Sequence, residues 1–105
     1  MNKEAFGQMK KNAILINVAR GPVVDTQALY AALITDQIAA AGLDVLEKEP
    51  MTRDNPLGKI QDSTKLIITP HMSWASTESR MNLVEEVCKN IAAYLDGEDR
   101  NVVNP

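Results

Sequence analysis

Three short apolar runs constrain the fold of this chain more than any other feature of its sequence. They cover residues 13–18, 40–46 and 66–69, and none of them alternates polar with apolar residues. Continuous hydrophobicity over so few residues is typical of strands that are covered on both faces in a parallel sheet. The sequence therefore predicts three buried parallel strands.

Helical patterns lie between and around these runs. Residues 3–10 place Phe6 and Met9 on one face, and a second helix starts from Asp25 or Thr26 as N-cap and ends near Asp36. A long last helix, ended by a glycine, has apolar residues at helical spacing: Met81, Val84, Cys88, Ile91 and Leu95. Strand, helix and strand within about 35 residues form a βαβ unit. The predicted class is α/β, a parallel sheet with flanking helices.

Three ionisable residues follow the three apolar runs: Arg20, Glu49 and His71. In open α/β sheets, ligands bind beyond the carboxyl ends of the strands, so residues that are distant in sequence converge there. A catalytic site is the leading hypothesis. Two alternatives stay open on the residues alone, because Arg20 could form a surface ion pair with Asp25, and Glu47 competes with Glu49 for the carboxylate role.

Charge and composition argue against several classes of partner. The 105 residues carry a formal net charge of −3, and no segment clusters Lys and Arg, so neither nucleic acid nor an anionic membrane is expected as a partner. No run approaches the roughly 20 apolar residues of a membrane span or the apolar core of a signal peptide. The single cysteine, Cys88, is predicted to be a small buried hydrophobe. A soluble, cytoplasmic protein is expected.

Six linked motifs occur in fixed order along the chain: residues 16–21 (INVARG), 24–25 (VD), 41–45 (AGLDV), 49–50 (EP), 55–57 (NPL) and 69–71 (TPH). In order and spacing they resemble the C-terminal signature of the D-isomer-specific 2-hydroxyacid dehydrogenases, over nearly the whole chain. Residues 72–76 (MSWAS) are most similar to the glycerate dehydrogenase, or hydroxypyruvate reductase, branch of that family.

The resemblance implies an NAD(H)-dependent oxidoreductase that interconverts a 2-oxo acid, with hydroxypyruvate expected, and a D-2-hydroxy acid, with D-glycerate expected. Arg20 would grip the carboxylate and carbonyl oxygen, since a guanidinium stays charged and donates paired hydrogen bonds. His71 would exchange the proton of the carbonyl oxygen, because imidazole titrates near neutral pH. Glu49, which matches the family's Glu-Pro dipeptide, would hydrogen-bond the ring and favour the imidazolium.

The resemblance also implies a set of residues near the cofactor, and no metal. Asp44 would contact the nicotinamide carboxamide, although it could be only a turn former, and a structural role is favoured for Trp74. The residue that distinguishes NAD from NADP follows a strand of the half-domain that this sequence does not contain. The predicted cofactor-binding residues are Val18, Ala19, Arg20, Asp44, His71 and Trp74.

The domain organisation follows from what the sequence does not contain. Its five glycines include no G-x-G-x-x-G turn, so residues 1–75 are expected to be the C-terminal half of a Rossmann-type NAD-binding domain. Residues 76–105 would form a long helix and tail that return to a substrate-binding domain outside this chain. The full-length enzyme is expected to be a homodimer that acts on a small molecule. The alternative is a truncated, non-catalytic fragment that acts as a folding or protein-interaction module.

Overall fold

The structure is a computed structural model that describes residues 1–103. The chain divides into two compact units, Met1–Met72 and a second unit that starts at Ser73. Positions 104 and 105 of the predicted tail lie outside the described residues.

The first unit contains a parallel sheet of three strands, β1 (Ile14–Asn17), β2 (Ala40–Leu43) and β3 (Leu66–Ile68), in the order β1-β2-β3. This confirms the predicted parallel sheet. Each strand is shorter than its apolar run, but their last residues are in register, since Asn17 pairs with Leu43 and Leu43 with Ile68. The carboxyl ends of the strands therefore form one straight edge.

Two helices accompany the sheet, α1 (Lys3–Gly7) and α2 (Thr26–Ile34). Asp25 is the N-cap of α2, and its side chain accepts a hydrogen bond of 2.8 Å from the Ala28 N–H. α1 ends before the predicted Lys10, because the chain leaves the helix at its C-cap, Gln8. Two single 3-10 turns, Gly21–Val23 and Pro56–Lys59, complete the unit.

The hydrophobic core of this unit forms where α1, α2 and one face of the sheet meet. Leu29, Ala32 and Leu33 of α2 are buried. The largest fully buried side chains are Phe6, Leu29, Leu33, Ile38 and Leu57. Ala41, Leu43 and Leu66 contribute the sheet side of the cluster.

The prediction that the first strand is covered on both faces is wrong. Ile14 and Ile16 are 63% and 72% exposed, and Ile67, which shares their face through Gly42, is 59% exposed. Within Met1–Met72, the described core lies on the opposite face, where Asn17 is buried. A continuous apolar run shows that a strand is suited to two covering layers, but it does not show that both layers are present.

The second unit consists of α3 (Thr77–Leu95) and the tail that follows it. Ser76 caps the helix by accepting from the Ser79 N–H at 3.1 Å, and the chain turns away through Gly97 at φ +73°. Glu85 and Lys89, four residues apart on α3, form an ion pair at 2.7 Å.

The apolar stripe of α3 is exposed along the helix, and Cys88 is exposed with it, so the prediction that this cysteine is buried is wrong. Helical spacing identifies residues that share a face, but it does not provide the surface that covers them. Among the described helices, none is long and apolar enough to cross a membrane.

Candidate active site

The chain segments that leave the sheet stay side by side at its carboxyl edge. The Asp44 N–H donates to the Asn17 carbonyl at 2.9 Å, and the Thr69 N–H donates to the Leu43 carbonyl at 2.9 Å. Backbone pairing therefore continues one residue beyond β2 and β3. Side chains that follow different strands are brought to one edge, as expected for a parallel sheet.

His71 and Glu49 meet at this edge. His71 Nδ1 lies 2.8 Å from Glu49 Oε2, and Glu49 Oε1 accepts the Leu46 N–H at 2.8 Å. The carboxylate thus bridges the imidazole and the backbone of its own loop. The hydrogen bond with His71, followed by the one with Leu46, lowers the pKa of Glu49 below its ordinary value of 4.5.

The second candidate carboxylate, Glu47, lies elsewhere. Its Oε2 accepts a hydrogen bond of 2.9 Å from the Thr26 hydroxyl, at the start of α2. Because the two side chains have separate partners, the geometry distinguishes two residues that only the family resemblance had distinguished in the sequence. Glu49 is the one that contacts His71.

Asp44 fixes the turn on which His71 lies. This carboxylate is only 3% exposed, and its Oδ1 accepts from the Thr69 hydroxyl at 2.5 Å and from the Met72 N–H at 2.9 Å. The two donors flank His71, whose φ of +52° lies in the left-handed region that residues with a Cβ rarely adopt. Sequence reasoning missed Thr69, although the Thr-Pro-His motif contains it.

Arg20 lies on a second turn, directly after β1, and its side chain is exposed. The Asn17 amide spans this turn, since its Oδ1 accepts from the Ala19 N–H at 3.1 Å and its Nδ2 donates to the Arg20 carbonyl at 2.9 Å. Arg20 Nη1 in turn donates to the Ala19 carbonyl at 2.8 Å. Sequence reasoning gave Asn17 no role of its own.

Gly21 brings the Arg20 turn against the Glu49 loop. It is buried, and a Cβ at this position would overlap the backbone of Leu46 and Glu47. Only glycine permits so close an approach of two main-chain segments. Since the Leu46 N–H also holds Glu49, Gly21 ties the position of one candidate site residue to that of another.

A cleft of about 490 Å³ opens beside the Glu49–His71 pair. Its volume, its largely apolar walls and its few polar groups are typical of small-molecule sites. The residues that line it are Asp44, Leu46, Glu49, Pro50, Met51, Ile68, Thr69, Pro70 and His71.

The predicted cofactor-binding residues do not all line this cleft. Asp44 and His71 do, whereas Val18, Ala19 and Arg20 are exposed on the turn after β1 and are not among its described lining residues. Trp74 belongs to the second unit, where it is exposed. Of the predicted site residues, Asp44, Glu49 and His71 line the cleft.

Glu49→Gln is expected to remove a pH-dependent contribution to stability. Because the folded state lowers the pKa of Glu49, its contribution is present above the unfolded value of 4.5 and is lost as the pH falls through the lower folded value. The melting temperature of the variant should therefore lie below that of the wild type at about pH 6, and the difference should shrink as the pH falls below 4.5 and through the lower folded pKa.

This comparison uses thermal melts of the two proteins across the acid range. Glu47→Gln is the matched control, because that carboxylate contacts Thr26 and not the imidazole. A difference between wild type and Glu49→Gln that stays constant from neutral to acid pH would contradict the assignment.

Comparison with known proteins identifies the family. Residues 1–73 match the domain described as "D-isomer specific 2-hydroxyacid dehydrogenase, NAD binding domain". The hydroxypyruvate reductase of Blautia hydrogenotrophica is 44% identical over 104 residues, which are 99% of this chain and 31% of that protein. The chain thus spans about a third of the curated relatives that it matches.

Solved structures agree with this result. A D-lactate dehydrogenase from Lactobacillus jensenii, determined with NAD+, is 35% identical with a TM-score of 0.69, over 100% of this chain and 34% of its own. A D-isomer specific 2-hydroxyacid dehydrogenase from Xanthobacter autotrophicus Py2, in complex with NADPH and MES, is 39% identical with a TM-score of 0.74. The match covers 96% of this chain and 40% of that one. These likenesses confirm the Rossmann-type fold.

The cleft residues are chemically suited to a nicotinamide. The ring is flat and largely apolar, and Pro50, Met51 and Ile68 provide apolar walls, while the polar residues of the lining are few. From the match over residues 1–73, the 105-residue chain belongs to the D-isomer specific 2-hydroxyacid dehydrogenase family, and these residues belong to the NAD-binding domain of that family.

Proposed function

We propose that this chain is the C-terminal part of an NAD(H)-dependent dehydrogenase that interconverts a 2-oxo acid and a D-2-hydroxy acid. Residues 1–75 would be half of the NAD-binding domain, and residues 76–105 would lead back to a substrate-binding domain. The observation that carries the proposal is the Glu49–His71 pair, joined at 2.8 Å beside a cleft at the carboxyl edge of the sheet. A paired imidazole at such an edge is a suitable acid and base.

His71 acts as the proton donor. Glu49 engages Nδ1, so the ring is oriented with Nε2 as the atom that delivers the proton to the carbonyl oxygen and recovers it in the reverse direction. When bound, the reduced nicotinamide supplies the hydride to the carbonyl carbon.

Arg20 binds the substrate carboxylate and polarises the adjacent carbonyl. Its guanidinium is permanently charged and is exposed at the same sheet edge, and it can donate two parallel hydrogen bonds to a carboxylate. Asp44 and the Val18–Ala19 turn would lie beside the nicotinamide. Together these residues bind, orient and protonate a 2-oxo acid.

Hydroxypyruvate is the substrate we propose, with D-glycerate as its reduced product. Two observations support it: the sequence of residues 72–76, and the name of the relative from Blautia hydrogenotrophica, a hydroxypyruvate reductase. NAD is proposed as the cofactor, since the matched domain is described as NAD binding. A homodimer and a cytoplasmic location stay predictions.

The test is steady-state reduction of 2-oxo acids by the full-length protein that contains this chain. We expect turnover with NADH, with a higher kcat/KM for hydroxypyruvate than for glyoxylate or pyruvate. No turnover with any of the three, with NADH or NADPH, would contradict the proposal. It would favour instead the non-catalytic folding or interaction module.

Arg20→Lys is expected to lower kcat/KM for hydroxypyruvate about 100-fold, because lysine keeps the charge but loses the paired hydrogen bonds. Most of the loss should be a higher KM, since the lost contact already exists in the bound substrate. Affinity for NADH, measured by fluorescence titration, should change little. An unchanged KM would contradict the role of Arg20 in carboxylate binding.

A further inference from the structure

Two polar side chains are buried among the described residues, Asn17 at 5% exposure and Asp44 at 3%. Both lie at the carboxyl edge of the sheet, and the Asp44 N–H donates to the Asn17 carbonyl. A buried polar side chain is costly unless it is hydrogen-bonded. The Asn17 side chain hydrogen-bonds the turn after β1, and the Asp44 side chain hydrogen-bonds the turn after β3.

Both polar atoms of the Asn17 amide hydrogen-bond the turn that contains Arg20. Its oxygen accepts the Ala19 N–H, and its nitrogen donates to the Arg20 carbonyl. The two bonds together hold the backbone of Ala19 and Arg20 in the turn. Because Asn17 is also the last residue of β1, in register with Leu43, the turn is attached to the rigid edge of the sheet.

We propose that Asn17 is the positioning residue for Arg20, an inference that rests on the proposed function. Its amide sets the direction in which the backbone presents the guanidinium, and so the geometry in which a substrate carboxylate is bound. Carboxylate recognition by paired hydrogen bonds depends strongly on orientation. Loss of this amide leaves an exposed Arg20 on a turn with fewer conformational restraints.

Asparagine is the residue type that this role requires. Aspartate has the same shape and keeps an acceptor for the Ala19 N–H, but it has no donor for the Arg20 carbonyl. It would also place a negative charge close to the guanidinium, in competition with the substrate. Alanine would leave both backbone groups without their partner.

The test is a double-mutant cycle in the full-length enzyme with Asn17→Ala and Arg20→Ala. We expect Asn17→Ala alone to lower kcat/KM for hydroxypyruvate about 10- to 100-fold, mostly through KM. In the Arg20→Ala background the same change should lower it less than about 3-fold, because the residue through which Asn17 acts is gone. The loss of thermal stability should be equal in the two backgrounds.

Binding of oxamate, an unreactive analogue of a 2-oxo acid, gives a readout that does not depend on turnover. Titration of the NADH complex should show weaker oxamate binding in Asn17→Ala by a similar factor. Asn55→Ala is the matched control, since the Asn55 side chain also accepts a backbone N–H, that of Leu57 at 3.0 Å, in a turn remote in sequence from Arg20. It should lower stability without changing oxamate affinity.

Three results would overturn the inference. Equal losses of kcat/KM in both backgrounds would mean that Asn17 acts independently of Arg20, while the proposed function would stand. No loss in the wild-type background would exclude the positioning role. An Arg20→Ala variant with unchanged kcat/KM would remove the proposed function and this inference together. If Asn17→Ala does not fold, Asn17→Asp takes its place in the cycle, and its loss of kcat/KM should be larger in the wild-type background than in the Arg20→Ala background.

Discussion

Replacing His71 with asparagine in the full-length enzyme is expected to lower kcat for hydroxypyruvate reduction by about 10² to 10⁴, the usual effect of losing a general acid. The imidazole is held by Glu49 at 2.8 Å beside the cleft, and asparagine cannot deliver a proton at neutral pH. The measurement is kcat and KM across pH. KM should change far less than kcat, since the proton transfer occurs in the transition state.

Asparagine is the informative substitution because of the backbone. His71 has φ +52°, and asparagine adopts this left-handed conformation more readily than other residues with a Cβ. Alanine would add backbone strain to the loss of the imidazole, so a fall in activity would be ambiguous. A His71→Asn variant with wild-type kcat would remove His71 from the mechanism.

Gly21→Ala is expected to destabilise the fold by more than about 3 kcal/mol, or to prevent folding. The added methyl group would overlap the main chain of Leu46 and Glu47, and backbone cannot move aside as a flexible side chain does. Displacement of Leu46 would also withdraw the N–H that holds Glu49. Urea unfolding of the variant gives the change in stability, and kcat shows the displacement of the pair.

Gly7→Ala provides the control for this substitution. Nothing lies within 4 Å of a Cβ at Gly7, and alanine has the higher helix propensity at the end of α1. We expect its stability to equal or slightly exceed that of the wild type. A Gly21→Ala protein as stable as the Gly7→Ala protein would contradict the close approach of the two backbone segments.

The fold could be predicted because the sequence marks each element by local chemistry. The apolar runs located the strands to within a few residues, and one of the two predicted N-cap candidates, Asp25, is the cap of α2. Whether a second layer covers each strand or helix face could not be predicted in the same way. The exposure of Ile16 on the sheet and of Val84 on α3 depends on which other layers are present, and the pattern of a single segment does not contain that information.

The candidate site shows a similar division. Arg20, Glu49 and His71 were predicted from their positions after the apolar runs. The family resemblance favoured Glu49 over Glu47, and in the structure Glu49, not Glu47, contacts the imidazole. Asn17 was overlooked because its role depends on two backbone bonds. Asparagine often hydrogen-bonds nearby backbone groups, but its residue type does not show which backbone groups it contacts or which side chain it would position.

The most direct test of the account is a crystal structure of the full-length enzyme with NADH and oxamate. It should show the Arg20 guanidinium paired with the oxamate carboxylate, and His71 Nε2 at roughly 2.6–3.2 Å from the adjacent carbonyl oxygen. Glu49 should remain on Nδ1, as it is here. Oxamate bound by other residues, with Arg20 and His71 both out of hydrogen-bond reach, would contradict the account.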